Sequence, residues 1–154
     1  MMKRFSDLIR FPYCHAWAIT VLRIMTGMVF LVHGYQKAFV DGLSVFSGFL
    51  SQAGIPAPEF FAPLVAGLEL LCGLALVLGL FTRWAAIPLA INMLVAVAAV
   101  HLKNGFFLPN GYEYAMVLLA SSISLILAGS GEFALENVLF RDTGTTASSK
   151  PVMA

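Results

Sequence analysis

Charge is what this sequence has least of. Asp, Glu, Lys and Arg together make up 11% of its 154 residues, while 60% are hydrophobic. A soluble domain carries about 25% charged residues, because its surface has to stay hydrated. So few charges cannot cover a water-facing surface of this size, and lipid must be the solvent for much of the chain. The few charges nearly balance at a formal net +1, and no run of Lys or Arg marks a nucleic-acid partner. Cysteine is almost absent too. Cys14 and Cys72 lie far apart in no C-x-x-C or metal-ligand pattern, which leaves them as packing residues rather than a redox pair or metal site. There is no nucleophile–base pair, no Gly-rich phosphate loop and no dinucleotide fingerprint, so the familiar enzyme signatures are missing. A small-x-small cleavage site is missing as well. Lys3, Arg4 and Arg10 precede an apolar run in the manner of a signal peptide, but that run leads into His33-Gly-Tyr-Gln-Lys37, so we read it as an uncleaved first span.

What the sequence does have is long apolar runs. A spanning helix needs about 20 mostly apolar residues. Candidates run over about 16–35, 62–80, 84–100 and 114–127, the last being the shortest. The runs are continuous rather than alternating, which favours helices over barrel strands. The expected fold is therefore all-α: an integral membrane four-helix bundle occupying 1–142 as one domain, with a Thr/Ser/Ala-rich disordered cytoplasmic tail at 143–154. Pro63 fits a first helical turn, and Thr82 fits an N-cap for the third span. Pro88 predicts a modest kink one turn further on. The turn at Phe81–Arg83 is short enough to make spans two and three antiparallel neighbours. Between spans one and two, Val45-Phe46 and Phe49-Leu50 predict a short amphipathic helix on the membrane surface. Lys3, Arg4, Arg10, Arg83, Arg141 and Lys150 would share one side, with Lys37 and Lys103 on the other. Six against two places both termini in the cytoplasm, N-in and C-in.

Ionisable groups inside hydrocarbon cost roughly 2.5–3.5 kcal/mol each on insertion scales, so the polar residues within the spans carry the information. Arg23 enters from the inner side, Asn92 reaches a similar depth, and Glu69 descends from the outer side. An axial gap on the order of 5–10 Å would let long side chains pair Arg23 with Glu69. A second polar group collects at the outer end: His33, Gln36 and Lys37 after the first span, His101 and Lys103 after the third, and Glu113 before the fourth. On the first helix Arg23, Gly27, Phe30, Gly34 and Lys37 recur at steps of three or four and share one face. That face should point into the bundle, with Phe30 dividing an inner polar site from an outer one. Two readings of these residues stand side by side. Either Arg23–Glu69 is a structural clamp holding two helices in register, or the polar groups line a cavity, open to the outer face, for a small polar or quinone-like molecule. The histidines read as interfacial side chains with wet tips. A bis-histidine haem is the weaker alternative, because nothing fixes its ligand geometry. Ala75-x-x-x-Gly79 reads as a close helix contact, and Phe60-Phe61 and Phe106-Phe107 as interfacial anchors.

Four blocks in order give the sequence a resemblance. Leu22-Arg-Ile-Met-Thr-Gly-Met-Val-Phe-Leu-Val-His-Gly-Tyr-Gln-Lys37 resembles the opening signature of the DoxX family. Gly67-Leu-Glu69 through Gly79-Leu-Phe-Thr-Arg83 resembles its second block, with the Gly–Glu spacing one residue shorter. Asn104-Gly-Phe106 with Gly111-Tyr-Glu-Tyr114 matches the third. Gly129-Ser-Gly131 with Leu135-Glu136 approximates the fourth, Glu136 standing where the family usually has Asp. The resemblance covers about Leu22 to Glu136. It implies a four-helix bacterial inner-membrane protein, often described as an oxidoreductase or an oxidoreductase subunit, with relatives linked to thiosulfate–quinone oxidation, thiol and oxidative stress, and catechol or quinone resistance. It also implies Arg23, His33, Gly34, Lys37, Glu69 and Glu113 as signature residues.

Three functions follow as expectations. The leading one is a membrane component of a redox or detoxification system in contact with quinones. In it Arg23 orients a polar head, Glu69 holds Arg23, and His33, His101 or Glu113 moves protons at the outer mouth. The chain offers no electron carrier of its own, so redox chemistry would need a bound cofactor, the quinone pool or a soluble or membrane partner. The second is a non-catalytic scaffold docking a soluble redox enzyme. The third is a small transporter of aromatic or acidic metabolites, which with so few spans would be a homodimer.

Overall fold

The computed structural model describes residues 14–140, with side-chain surroundings from residue 17 onward. Lys3, Arg4, Arg10, Arg141, Lys150 and the 143–154 tail lie outside the described residues. All regular structure among the described residues is helical. Helix α1 is Cys14–Tyr35 and runs on through a wider π-helical segment, Gln36–Val40. A short α2, Leu43–Gln52, precedes α3, Pro58–Leu78. Helix α4, Thr82–Val95, continues through a second π segment, Ala96–His101, and a 3₁₀ turn, Leu102–Asn104. Helix α5 is Glu113–Ala128, and α6 is the short Leu135–Leu139. Three stretches, Trp17–Val40, Pro58–Leu78 and Thr82–Asn104, are long and apolar enough to cross a membrane; α5 is apolar but has 16 residues.

The surface is inverted relative to a soluble protein. Large apolar side chains such as Trp17, Met25, Leu71, Trp84, Ile91 and Val117 face outward, while Arg23, Glu69, Thr26, Thr82 and Ser122 are buried. That arrangement is stable only where the surroundings are as apolar as the side chains. The core is correspondingly small-grained: Ala62, Ala66, Ala85, Ala86, Ala90 and Ala115 sit with Phe30, Leu76, Leu89 and Leu125.

The tightest contact is between antiparallel α1 and α3. A Cβ on Gly27 would lie 2.8 Å from the Gly73 carbonyl oxygen and the Val77 nitrogen. One on Gly34 would lie 2.7 Å from the Leu70 nitrogen, and one on Gly73 2.6 Å from the Leu31 nitrogen. Two backbones this close need glycine, and in lipid such contact replaces the hydrophobic drive that water would supply. The seam fixes register: Gly27 lies level with residues 73–77 and Gly34 with residues 66–70. Helix α4 packs mainly on α5, and α3 passes to α4 through the tight turn at Gly79–Phe81.

Several boundaries differ from the sequence reading. Helix α3 starts one turn early, with Pro58 in its first turn, so Pro63 lies inside the helix. Thr82 does not cap α4: Phe81 occupies the N-cap position at φ 48°, and the buried Thr82 Oγ1 has no hydrogen-bond partner. Gly79 does permit a close approach, but to Ala134 and the Arg23 side chain. It ends α3 in the left-handed conformation at φ 71°, with Ala134 and Arg23 packed where a Cβ would project. The expected amphipathic helix is α2, Leu43–Gln52.

The seam predicts a sharp positional contrast. Gly73→Val should destabilise the protein by about 2 kcal/mol or more through overpacking. Gly67→Val, on the same helix where a Cβ would meet nothing within 4 Å, should stay within about 0.5 kcal/mol of wild type. Thermal unfolding of the two variants in one detergent measures the difference.

Candidate functional site

The face of α1 from Arg23 to Lys37 does turn inward. Arg23, Thr26, Gly27, Phe30 and Gly34 are buried and Lys37 is half-buried. Phe30, 1% exposed, separates two polar sites. We name their ends by the α3–α4 turn (the turn end) and the long connections (the loop end).

The turn-end site belongs to Arg23, and its partners are backbone rather than Glu69. The Arg23 Nη1 donates to the carbonyls of Leu76 and Val77, Nε to Ser130 at 3.1 Å, and Nη2 to Phe133 at 2.7 Å. The last carbonyls of a helix have no intrahelical partner and carry the negative end of its dipole, so a guanidinium fork suits them well. The 130–133 segment is the closing block of the sequence, drawn in to complete the set. Its neighbour Glu136 donates its N–H to the Gly79 carbonyl at 3.1 Å, and Trp17 packs on Phe133 with ring centroids 4.5 Å apart. Arg23 is thus a clamp, but between α1, the end of α3 and the closing segment.

The loop-end site is an ion pair with an amide. Lys37 Nζ lies 2.5 Å from Glu69 Oε2 and 2.6 Å from Oε1, and Asn92 Nδ2 donates to Oε1 at 2.9 Å. The Glu69 side chain is 2% exposed and that of Lys37 23%. Lys37 Nζ also stands 5.0 Å from the centre of the Phe46 ring, a cation–π contact. The glycine seam explains the exchange of partners. It sets Glu69 about ten residues, roughly 15 Å, from Arg23 along the bundle, but only about four residues, roughly 6 Å, from Lys37. A lysine side chain spans the second gap; an arginine cannot span the first.

This cluster lines a cavity of about 610 Å³. The cavity sits between the α1–α3 pair and the α4–α5 pair, and α2 lies across it with Phe46, Phe49 and Leu50. Its walls are otherwise apolar, with Phe30 among them, while His33, His101 and Tyr114 add polar atoms. Both π segments contribute, the first through Lys37 and the second through Ala96, Val100 and His101. A π turn re-aims side chains relative to a regular helix and recurs at functional sites.

The structure therefore brings His33, Lys37, Glu69, Asn92 and His101 to one cavity and keeps Arg23, Gln36 and Glu113 out of it. Gln36 is exposed. Glu113 accepts a hydrogen bond from the Leu108 N–H at 2.8 Å and fastens the 105–112 loop, which Asn104 and His101 also hold through the Asn110 carbonyl. Among the described residues no three His, Cys, Asp or Glu side chains gather as a metal site. The cavity walls supplied by α2, and Phe61 of the expected interfacial Phe60-Phe61 pair, escaped the sequence reading. The alternation of Phe46, Phe49 and Leu50 marked a buried face but not what it would cover.

Comparison with known proteins agrees with this frame. The DoxX family model matches residues 18–102, from the second turn of α1 to the first residue of the 3₁₀ turn after α4. The chain belongs to the DoxX family. It is 34% identical over 134 residues to an uncharacterized membrane protein, Rv3486, of Mycobacterium tuberculosis, covering 79% of this chain and 81% of that one. It is 34% identical over 121 residues to a Bacillus subtilis protein named "Putative oxidoreductase CatD", covering 79% and 86%. An uncharacterized Haemophilus influenzae protein is 32% identical over 128 residues, covering 80% and 91%. No solved structure matches this DoxX chain. The DoxX match spans both polar sites on α1, α3 and α4 but ends before the 130–133 segment that completes the Arg23 shell.

Two outcomes test the assignments. Lys37→Met strands a buried carboxylate and should cost about 3 kcal/mol, part of which Lys37→Met with Glu69→Leu should recover; unfolding in mixed detergent closes the double-mutant cycle. Arg23→Lys cannot serve four carbonyls on two segments. Backbone hydrogen exchange over residues 129–136 should rise by tenfold or more, with residues 43–52 unaffected.

Proposed function

We propose that this DoxX protein is a bacterial inner-membrane component of a redox or quinone/thiol-stress detoxification system, and that its loop-end cavity holds a small quinone-like molecule. The observation that carries the reading is the cavity itself: about 610 Å³, walled by aromatic and aliphatic side chains, with the Lys37–Glu69–Asn92 cluster in its wall. Ligand sites are concave and mostly apolar, with a few placed polar groups that orient the bound molecule. A flat ring with carbonyl oxygens suits this arrangement, since Lys37 and Asn92 are hydrogen-bond donors and Phe46 and Phe49 offer ring faces. His33 and His101 line the same space and could exchange protons with a bound hydroxyl or carbonyl. Arg23, saturated by carbonyls, takes no part in binding in this reading. The oxidoreductase label in the name of the Bacillus subtilis relative and the apolar exterior support the same conclusion. Electrons would come from the quinone pool, a bound cofactor or a partner protein.

In this reading α5 is a fourth span, and both termini face the cytoplasm. The positive-inside count supports that orientation. It strengthens once Lys37 is seen folded against Glu69, which leaves Lys103 as the exposed cation of the loop end, opposite exposed Arg83 at the turn end. The protein would work as a monomer or a homodimer within the bilayer.

The test is binding of tail-less 2,3-dimethoxy-5-methyl-benzoquinone to purified protein in lipid nanodiscs. Wild type and Arg23→Lys should bind alike. Lys37→Met/Glu69→Leu should weaken binding by about tenfold, the loss of one charged hydrogen bond, and Asn92→Leu by about fivefold, the loss of a neutral one. Wild-type protein that binds no quinone, and that carries only phospholipid after purification, would sink the reading and favour a non-catalytic scaffold.

A further inference from the structure

Resting on the reading of the cavity just given, we infer that its ligand enters sideways from the bilayer, through a gap between α3 and α4, and belongs to one chemical class. That class is lipophiles with an uncharged polar head and a hydrocarbon tail that stays in the gap. The first ground is a set of side chains that line the cavity and face outward at once. Leu64 on α3 is 47% exposed, and Ile91 and Val95 on α4 are 58% and 46% exposed, yet all three line the cavity wall; Phe49 on α2 and Tyr114 in the first turn of α5, 48% and 41% exposed, do the same nearer the loop end. A side chain can do both only at the rim of an opening. Of these five, the three on α3 and α4 sit deepest in the bundle, so the opening reaches down the side between those two helices.

The second ground is depth. Helix α3 has 21 residues, about 31 Å, close to the thickness of a bilayer's hydrocarbon core. Leu64 lies roughly 9 Å and Glu69 roughly 16 Å from its loop end. Asn92 reaches Glu69 directly, so Ile91, one residue before it, is at that same depth. The rim therefore opens among acyl chains rather than at the aqueous face.

The third ground is charge. Of the Lys, Arg, Asp and Glu side chains among the described residues, those lining the cavity are Lys37 and Glu69, and they neutralise each other. An anionic head would have to displace the Glu69 carboxylate from Lys37, and a cationic one would have to displace Lys37. An uncharged head needs neither. It can take hydrogen bonds from Lys37 and Asn92 while the pair stays intact. Its tail, projecting between Leu64 and Ile91, never leaves hydrocarbon.

The experiment uses two probes with one ring, tail-less 2,3-dimethoxy-5-methyl-benzoquinone and the same ring carrying a decyl chain, titrated against full-length protein in nanodiscs. Each variant is compared with wild type for the same probe, so partitioning into lipid cancels. Ile91→Trp should weaken the decyl probe by tenfold or more and the tail-less probe by less than twofold. Leu64→Trp, from the opposite rim, should do the same. Leu71→Trp, at an outward position on α3 that does not line the cavity, should change neither. Equal loss of both probes at Ile91 and Leu64, or no loss of either, overturns the lateral entry while leaving the quinone site standing. Tighter binding of a carboxylate-headed decyl probe than of the neutral one overturns the assigned class. Failure of wild type to bind any of the probes brings down the underlying reading and this inference with it.

Discussion

The close approach of α1 and α3 at Gly27, Gly34 and Gly73 governs the rest of the molecule. In lipid, two apolar helices gain nothing from hiding apolar surface, so they associate where backbones can touch and dispersion contacts are densest. Here that contact has one register, because each glycine faces a backbone atom that would collide with any Cβ. Once the register is set, Lys37 hangs over Glu69 and Arg23 falls at the last turn of α3. Both outcomes are electrostatically satisfied. A slip of one turn would leave either the carboxylate or the guanidinium unpaired in a medium where that costs several kcal/mol. Packing and charge thus select the same arrangement, and neither would be as specific alone.

That coupling also explains which features could be read from the residues and which could not. The inward face of α1 was legible because period and residue size both mark it: Gly27 and Gly34 alternate with Arg23, Phe30 and Lys37 at helical steps. The spans and α2 were legible from apolar runs. The Arg23 partners were not. A backbone carbonyl has no letter in a sequence, and the carbonyls at Leu76, Val77, Ser130 and Phe133 are available only because a helix ends and a loop folds back. The pairing of Glu69 with Lys37 was hidden for a different reason. Depths counted separately from two span boundaries carry the errors of both, and the boundary of α3 lies four residues earlier than its apolar run suggests. The π segments that aim Lys37 and His101 have no recognisable sequence signal at all.

The question of whether the buried charges serve as a clamp or a ligand site divides between two places. Arg23 has the attributes of a clamp. It is 1% exposed, its partners are main-chain atoms on two segments, and Phe30 shuts it off from the cavity. The loop-end cluster is as deeply buried at Glu69 but differs otherwise. Lys37 keeps partial exposure on a flexible stem, its partners are side chains, and the space beside it is about 610 Å³. A group meant only to hold helices together needs no such space, and filling it with Leu or Phe would stabilise the bundle.

The division follows from the helices themselves. At the turn end, α3 and α4 are joined by three residues and cannot separate, so any polar group there must be sealed by backbone close at hand. At the loop end, the connections are long, α2 on one side and the 102–112 segment on the other, and the two helix pairs can stand apart. Space opens where the chain is least constrained, and the polar residues that face it come from the end of α1, the middle of α3, the last turn of α4, the first turn of α5 and the two π segments. Glu113 and Asn104 hold the 105–112 loop without entering the cavity, so the polar side chains that line it are those of Lys37, Glu69, Asn92, Tyr114 and the two histidines. A bundle built this way is rigid at one end and hollow at the other, and the hollow end is where a ligand can be held without disturbing the register that holds the helices.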